Sequence, residues 1–270
     1  MNTPDVRFFT ISLWLYLGAF LLFTLFFAFR RVALGRAGAA CLFAGGGFQT
    51  VGIGIRWDLA GHVPLSNMFE YASAMSWMAV VSFGLILWRY RKLVIGVFVA
   101  PLVFALVVAA SLLPKDITQQ LVPALQSYWL TIHVSLAALG EGAFAVAFAV
   151  SIMYLVTARL GGGGQRRLPS PELLDEINYR AIAIGYPLFT IGALFAGAIW
   201  AHNAWGAFWS WDPKEVGSLI IWLFYTGYLH ARLQRDWRGT RAAVMSITGF
   251  AMTILSFVGN MFLSGNHAYG

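Results

Sequence analysis

Two shortages in this sequence remove whole classes of function. Charged residues make up 11% of the 270 positions, against about 25% in an average soluble domain. With 59% hydrophobic residues, a soluble fold would expose far too much apolar surface. Cysteine is almost absent: Cys41 stands alone, inside an apolar run. An internal disulfide, a Cys-x-x-Cys redox pair and a Cys-x-x-Cys-His heme attachment site within the chain are thereby excluded. Any thiol chemistry belongs to a partner. No phosphate-cradling loop is present either, because the glycine run 161–164 has no strand before it and no Lys-Ser/Thr after it. That run reads as a flexible linker. A cleavable signal peptide is also missing, since the first apolar run is too long and ends in Arg30-Arg31.

What the sequence does hold is long apolar runs, each able to cross a hydrocarbon core of ~30 Å. They predict an all-α polytopic membrane protein of about eight transmembrane helices, near 8–29, 37–55, 67–88, 93–113, 127–157, 179–200, 216–234 and 242–264. The fifth is long enough to project beyond the bilayer. No inverted repeat is visible, and residues 1–270 read as a single transmembrane domain. Of the 18 Lys and Arg residues, only Arg7, Arg56, Lys115 and Lys214 fall on one side of these spans. The remainder, from Arg30 and Arg31 through Arg232 to Arg241, rim the opposite side. The positive-inside rule then puts both termini outside. The net charge of +7 is mostly that inner rim, and no nucleic-acid partner is needed to explain it.

The outer connection 200–215 is where chemistry concentrates. It carries Trp200, Trp205, Phe208, Trp209 and Trp211, followed by Asp212-Pro213-Lys214-Glu215. A lone tryptophan here would be an interfacial belt residue. Grouped in one connection, the rings can also form an apolar shelf for a flat ligand. Asp212, Pro213 and Glu215 have the spacing of a capping box with Pro at the first helical position. Such a cap would hold the shelf rigid. Lys214 either pairs with a ligand carboxylate or is solvated.

His62, His133, His202 and His267 lie on the outer side, and His230 lies toward the inner end of the seventh span. A heme needs apolar faces and neutral imidazoles from opposite sides. His133 and His267 come from separate helices bracketing the tryptophan connection, so they can approach from opposite faces. A histidine at an interface can equally be held by hydrogen bonds alone. His230 lies 19 residues from Trp211, ~28 Å along a helix, so one heme cannot touch both. It either serves a second, inner-leaflet site or only hydrogen-bonds near the interface. Glu141 stands mid-span, eight residues from His133, either relaying a proton or steadying a neighbouring helix. Glu70, near the outer end of the third span, is expected to reach the interface.

The run Trp205-Gly-Ala-Phe-Trp-Ser-Trp-Asp-Pro-Lys-Glu215 resembles the tryptophan-rich WWD signature of heme-handling proteins. Three other segments resemble the CcsA/ResC branch of that superfamily: Gly61 to Glu70, Tyr228 to Arg232, and His267-Ala-Tyr-Gly270. Together they extend over most of the chain. The resemblance implies cytochrome c biogenesis as a subunit of a holocytochrome c synthase. Heme b would be carried to the outer face and presented for attachment to Cys-x-x-Cys-His of apocytochrome c. It also implies a separate CcsB/ResB-like membrane partner and thiol-reducing partners. His133 and His267 would be the outer axial ligands, with Trp200, Trp205, Phe208, Trp209, Trp211 and Asp212 around the porphyrin. His230 would be an inner ligand completed by the partner. His202 and Glu141 stand outside the family pattern. A bacterial inner membrane is expected ahead of a thylakoid membrane. The alternative is a heme exporter or chaperone that delivers heme without promoting thioether formation.

Overall fold

The computed structural model describes residues 3–160, 168–259 and 262, and they are almost entirely helical. The order is α1 (Pro4–Phe29), α2 (Val32–Ala60), α3 (Met68–Tyr90), a short turn of helix at Leu93–Ile95 leading into α4 (Gly96–Ser111), and α5 (Tyr128–Arg159). Then come α6 (Pro171–Phe189), a π-helical segment (Thr190–Ala196), α7 (Gly197–Trp205), α8 (Pro213–Gln234) and α9 (Thr240–Gly259). Segments α6, π and α7 run on as one helical unit, Pro171–Trp205. Seven units among the described residues are long and apolar enough to cross a membrane. Helix α8 is long enough but falls short in hydropathy, because Tyr225, Tyr228, His230 and Arg232 dilute its apolar run. The chain is an all-α, multi-pass membrane protein, as its composition requires.

Short connections alternate between two ends of the bundle. The connections 61–67, 112–127 and 206–212 form what we call the tryptophan end; 30–31, 91–92 and 235–239 form the arginine end. The fifth helix is the axis of the fold, packed by α3, α4, α6, α7 and α9. Its small residues allow this. A Cβ at Gly140 would lie 2.8 Å from the Gly185 carbonyl oxygen, and one at Gly142 would lie 2.7 Å from the Met78 backbone. Close approach of backbones is how helices gain contact where lipid offers no hydrophobic drive between them.

Two buried polar clusters tie the first three helices together. The Tyr16 hydroxyl donates to Gln49 Oε1 at 2.6 Å, and Gln49 Nε2 donates to Ser73 O, Ser73 Oγ and Ser76 Oγ at 2.9–3.0 Å. Nearer the tryptophan end, Arg56 donates through Nε to Glu70 Oε1 (2.7 Å) and through Nη1 to Asp5 Oδ2 (2.8 Å). It also reaches the carbonyls of Lys115 (3.0 Å) and Asp116 (2.7 Å). One guanidinium thereby fastens α1, α2, α3 and the 112–127 connection. Glu70 does not reach the interface as its position suggested. It is buried at 3% exposure, held by Arg56 and by its capping box with Asn67. Asp5, Arg56 and Glu70 stand at three span ends on one side, but nothing in their spacing says that they meet; once buried, each charge must be paired.

Candidate functional site

The tryptophan end is assembled around His133, one and a half turns into α5. Its Nδ1 lies 2.9 Å from the carbonyl oxygen of Gly192 in the π segment. A carbonyl only accepts, so Nδ1 carries the proton and the ring's lone pair is on Nε2. The ring lies parallel to Trp200, with centroids 5.9 Å apart and planes 4° apart. Trp200 is 2% exposed, and its Nε1 donates to Ala124 O at 2.8 Å, which pins the 112–127 connection over the site. Trp205 meets Trp200 edge-on at 4.9 Å. Leu125, Leu130 and Val134 complete a second core, separate from the main one, with Tyr71 packed against it.

The π segment makes this geometry possible. Pro187 removes one helical N–H just upstream, and the backbone widens over Thr190–Ala196. In the widened turn Gly192 O accepts from Gly197 N, five residues on, and also from His133 Nδ1. Only glycine fits at 192, where a Cβ would lie 2.5 Å from Ala137 N. Nothing in the sequence pattern announced the π segment beyond Pro187 and the glycines.

After Gly206 (φ +78°) the chain turns back toward α8. His202 and Phe208 stack at 4.3 Å, and Trp209 and Trp211 meet at right angles, 5.8 Å apart. The aromatic rings thus fall into three groups rather than one plane: Trp200 and Trp205 with His133, His202 with Phe208, and Trp209 with Trp211. Trp211 has φ +60°, a left-handed conformation costing a non-glycine residue about 1–2 kcal/mol. The neighbouring cap holds it there. Glu215 Oε2 accepts from Ser210 N (2.7 Å) and Asp212 N (3.3 Å), while Asp212 Oδ1 accepts from Lys214 N (2.9 Å). The capping box read from the sequence is present. Phe208 and Trp211 remain 58% and 71% exposed, so this part of the loop offers apolar surface outward.

The other histidines separate. His62 lies against the carbonyls of Val63 and Thr118 at 3.0 and 2.8 Å. His230 is exposed on α8 near the arginine end, facing away from the bundle. His267 lies outside the described residues. One further side chain joins the site that spacing alone did not place. The Tyr71 hydroxyl, from α3, donates to Glu141 Oε2 on α5 at 2.5 Å, which gives the mid-span carboxyl its polar contact.

A helical multi-pass membrane protein with one end built of histidine and tryptophan is the class these features define. The cytochrome C assembly protein family model matches residues 65–267, the stretch from the start of α3 to His267. The chain is 33% identical to the cytochrome c biogenesis protein CcsA of Trichormus variabilis, over 88% of both chains. It is 35% identical to CcsA of Guillardia theta, over 82% of this chain and 81% of that one. It is also 35% identical to CcsA of Synechococcus elongatus, over 81% and 82%. The chain belongs to the cytochrome c assembly protein family, CcsA type, and its role falls within cytochrome c biogenesis. The fold is similar to that of the cytochrome c heme lyase CcmF, with a TM-score of 0.70 over 95% of this chain at 17% identity. The chain spans 47% of that structure's length.

Proposed function

We propose that the tryptophan end binds heme b and presents it for covalent attachment to Cys-x-x-Cys-His of an apocytochrome c. The observation that carries this reading is His133. Its Nδ1 lies against Gly192 O and its ring is parallel to Trp200, which supports the tautomer, with the lone pair on Nε2, that an iron-binding imidazole needs. A backbone carbonyl on the second ring nitrogen is how metal-binding imidazoles are commonly oriented. Trp205, Phe208, Trp209 and Trp211 supply the apolar, face-stacking surface a porphyrin needs, and the Asp212 cap keeps their loop in register. His267, from the segment after α9, is the second axial ligand.

Heme supplies the iron and the vinyl groups; the chain holds the ring and shields its faces from water. The thiols come from the apocytochrome and the reducing power from thiol-reducing partners, so the protein's contribution is positioning. The tryptophan end faces outward, a reading the arginine distribution supports. His230 faces away from the bundle ~28 Å from Trp211. This supports an inner heme site whose opposite ligand comes from a CcsB/ResB-like protein, from which heme moves to the outer site. A bacterial inner membrane is the proposed location.

The test is purification of the full chain with its partner, followed by absorption spectra of wild type and of His133→Gly and His267→Gly. Each variant is expected to lose outer-site heme absorption and to regain it with added imidazole. Full absorption in both variants without imidazole would refute the ligand assignment. Reconstitution with heme and apocytochrome separates the synthase from a heme-delivering chaperone, since only the synthase yields covalent product.

A further inference from the structure

The tryptophan-end chemistry uses no group deeper than His133, yet the bundle carries a line of buried polar groups running below it. At the arginine end Arg232 grips Asp175 through Nη1 (2.8 Å) and Nη2 (2.6 Å). Tyr228 lies one turn back along α8 within electrostatic reach of both, and accepts from Asn178 Nδ2 at 3.3 Å. Tyr225 is the next residue on that face of α8. Its hydroxyl lies beside Gly249 of α9, one turn from Ser246. Its ring stacks at 3.7 Å on Phe144, one turn from Glu141 on α5. Glu141 accepts from Tyr71, and Tyr71 packs against the Trp200 core that backs His133.

Three atoms on this line have no protein hydrogen-bond partner among the described residues. They are Asn178 Oδ1, Tyr225 OH and Ser246 Oγ, each on a side chain no more than 2% exposed. Polar atoms buried in this way are normally satisfied by internal water. All three lie on the arginine-end side of Glu141, on α6, α8 and α9. Glu141 is 6% exposed in the middle of a membrane helix, where an ionisable residue is a functional candidate by default. The titratable groups that face it are Tyr71 from α3 and Tyr225 from α8. On the α6 side the neighbouring turn of α5 packs on Gly185 and Phe189, and on the α9 side Phe257 covers Tyr71.

We propose that Glu141 is a proton-binding site coupled to occupation of the heme site above it, filled from the arginine end along a hydrated lane through Tyr228, Asn178, Ser246 and Tyr225. This rests on the reading of the tryptophan end as a heme site. The proton leaves water at the arginine end and is taken by Glu141 Oε1, because Oε2 is already accepting from Tyr71. Heme brings negative propionates into a site of low dielectric. His133 and Glu141 are eight residues apart, ~12 Å along α5. At that distance and an effective dielectric of ~20, one net charge couples heme binding to proton binding by about tenfold. A neutral carboxyl at mid-membrane would then accompany a loaded heme site, keeping two negative groups from sharing one helix.

The experiment counts protons. Heme is added to the purified full chain with its partner in weakly buffered solution containing a pH-indicating dye, for wild type, Glu141→Gln and Tyr225→Phe. At the pH midway between the site's affinities with and without heme, wild type is expected to take up about half a proton per heme more than Glu141→Gln. Tyr225→Phe is expected to keep the stoichiometry but take the proton up more slowly. Infrared difference spectra on heme addition should show a carboxylic-acid carbonyl band that shifts in heavy water and is missing in Glu141→Gln. Equal proton counts in wild type and Glu141→Gln, both binding heme, would overturn the proposal while leaving the heme reading intact. If Glu141→Gln does not fold, the wild-type infrared band decides alone, and its absence overturns the proposal. Failure of the wild type to bind heme would overturn the heme reading and this inference with it.

Discussion

At the scale of single residues, Arg56 and His133 show how far position in the sequence understates environment. Arg56 reads as one of four outer-side cations and His133 as a candidate ligand, with no sign in either case of the groups packed around it. Arg56 is a buried cation whose hydrogen bonds join its own helix to three other segments, and its side chain is only 4% exposed. Removing one partner of a buried ion pair leaves the other charge uncompensated and costs about 3–5 kcal/mol. Arg56→Ala should therefore lower the unfolding free energy by about that amount in a denaturant titration in detergent. Arg180 provides the contrast, since its pair with Glu176 has side chains 51% and 45% exposed. Arg180→Ala should stay within about 1 kcal/mol of wild type. Similar losses from the two variants would remove the structural role assigned to Arg56.

At the scale of elements, the π segment is the feature on which the site's geometry turns. One residue more than a regular helix needs is accommodated between Pro187 and Gly197, and it brings Gly192 O onto His133 and sets Trp200 parallel to its ring. Deleting Ile191 should restore α-helical register and turn α7 by about 100° relative to α6. Heme absorption at the outer site should then fall to the level of His133→Gly, with the helical circular dichroism unchanged. Normal heme absorption in the deletion would show that the π segment does not position the ligand. The capping box at Asp212 and Glu215 was legible in the sequence alone, because its residues are close neighbours along the chain. The π segment was not, since Pro187 and the glycines only permit it, and Gly192 packs on the α5 backbone at Ala137, 55 residues away.

For the whole molecule, orientation in the membrane decides the direction of any heme route. In a Cys41→Ala background, Gln120→Cys lies in the exposed 112–127 connection and Arg235→Cys in the exposed connection at the arginine end. An impermeant thiol reagent on intact cells should label Gln120→Cys and spare Arg235→Cys. The reverse pattern would invert the proposed route of heme.

Composition and the spacing of apolar runs determined that this is a helical, multi-pass membrane protein. Every backbone group in hydrocarbon must be satisfied within its own segment, so a long enough apolar run leaves no alternative to helix. Local motifs also determined the tryptophan connection and the cap that ends it. Only the tertiary structure decided that Asp5, Arg56 and Glu70 share one buried cluster. It decided likewise that Trp200 stands parallel to His133 and that Tyr71 reaches Glu141. Those contacts join side chains from different helices, and which faces meet is set by small-residue packing around α5 rather than by the period of any one helix.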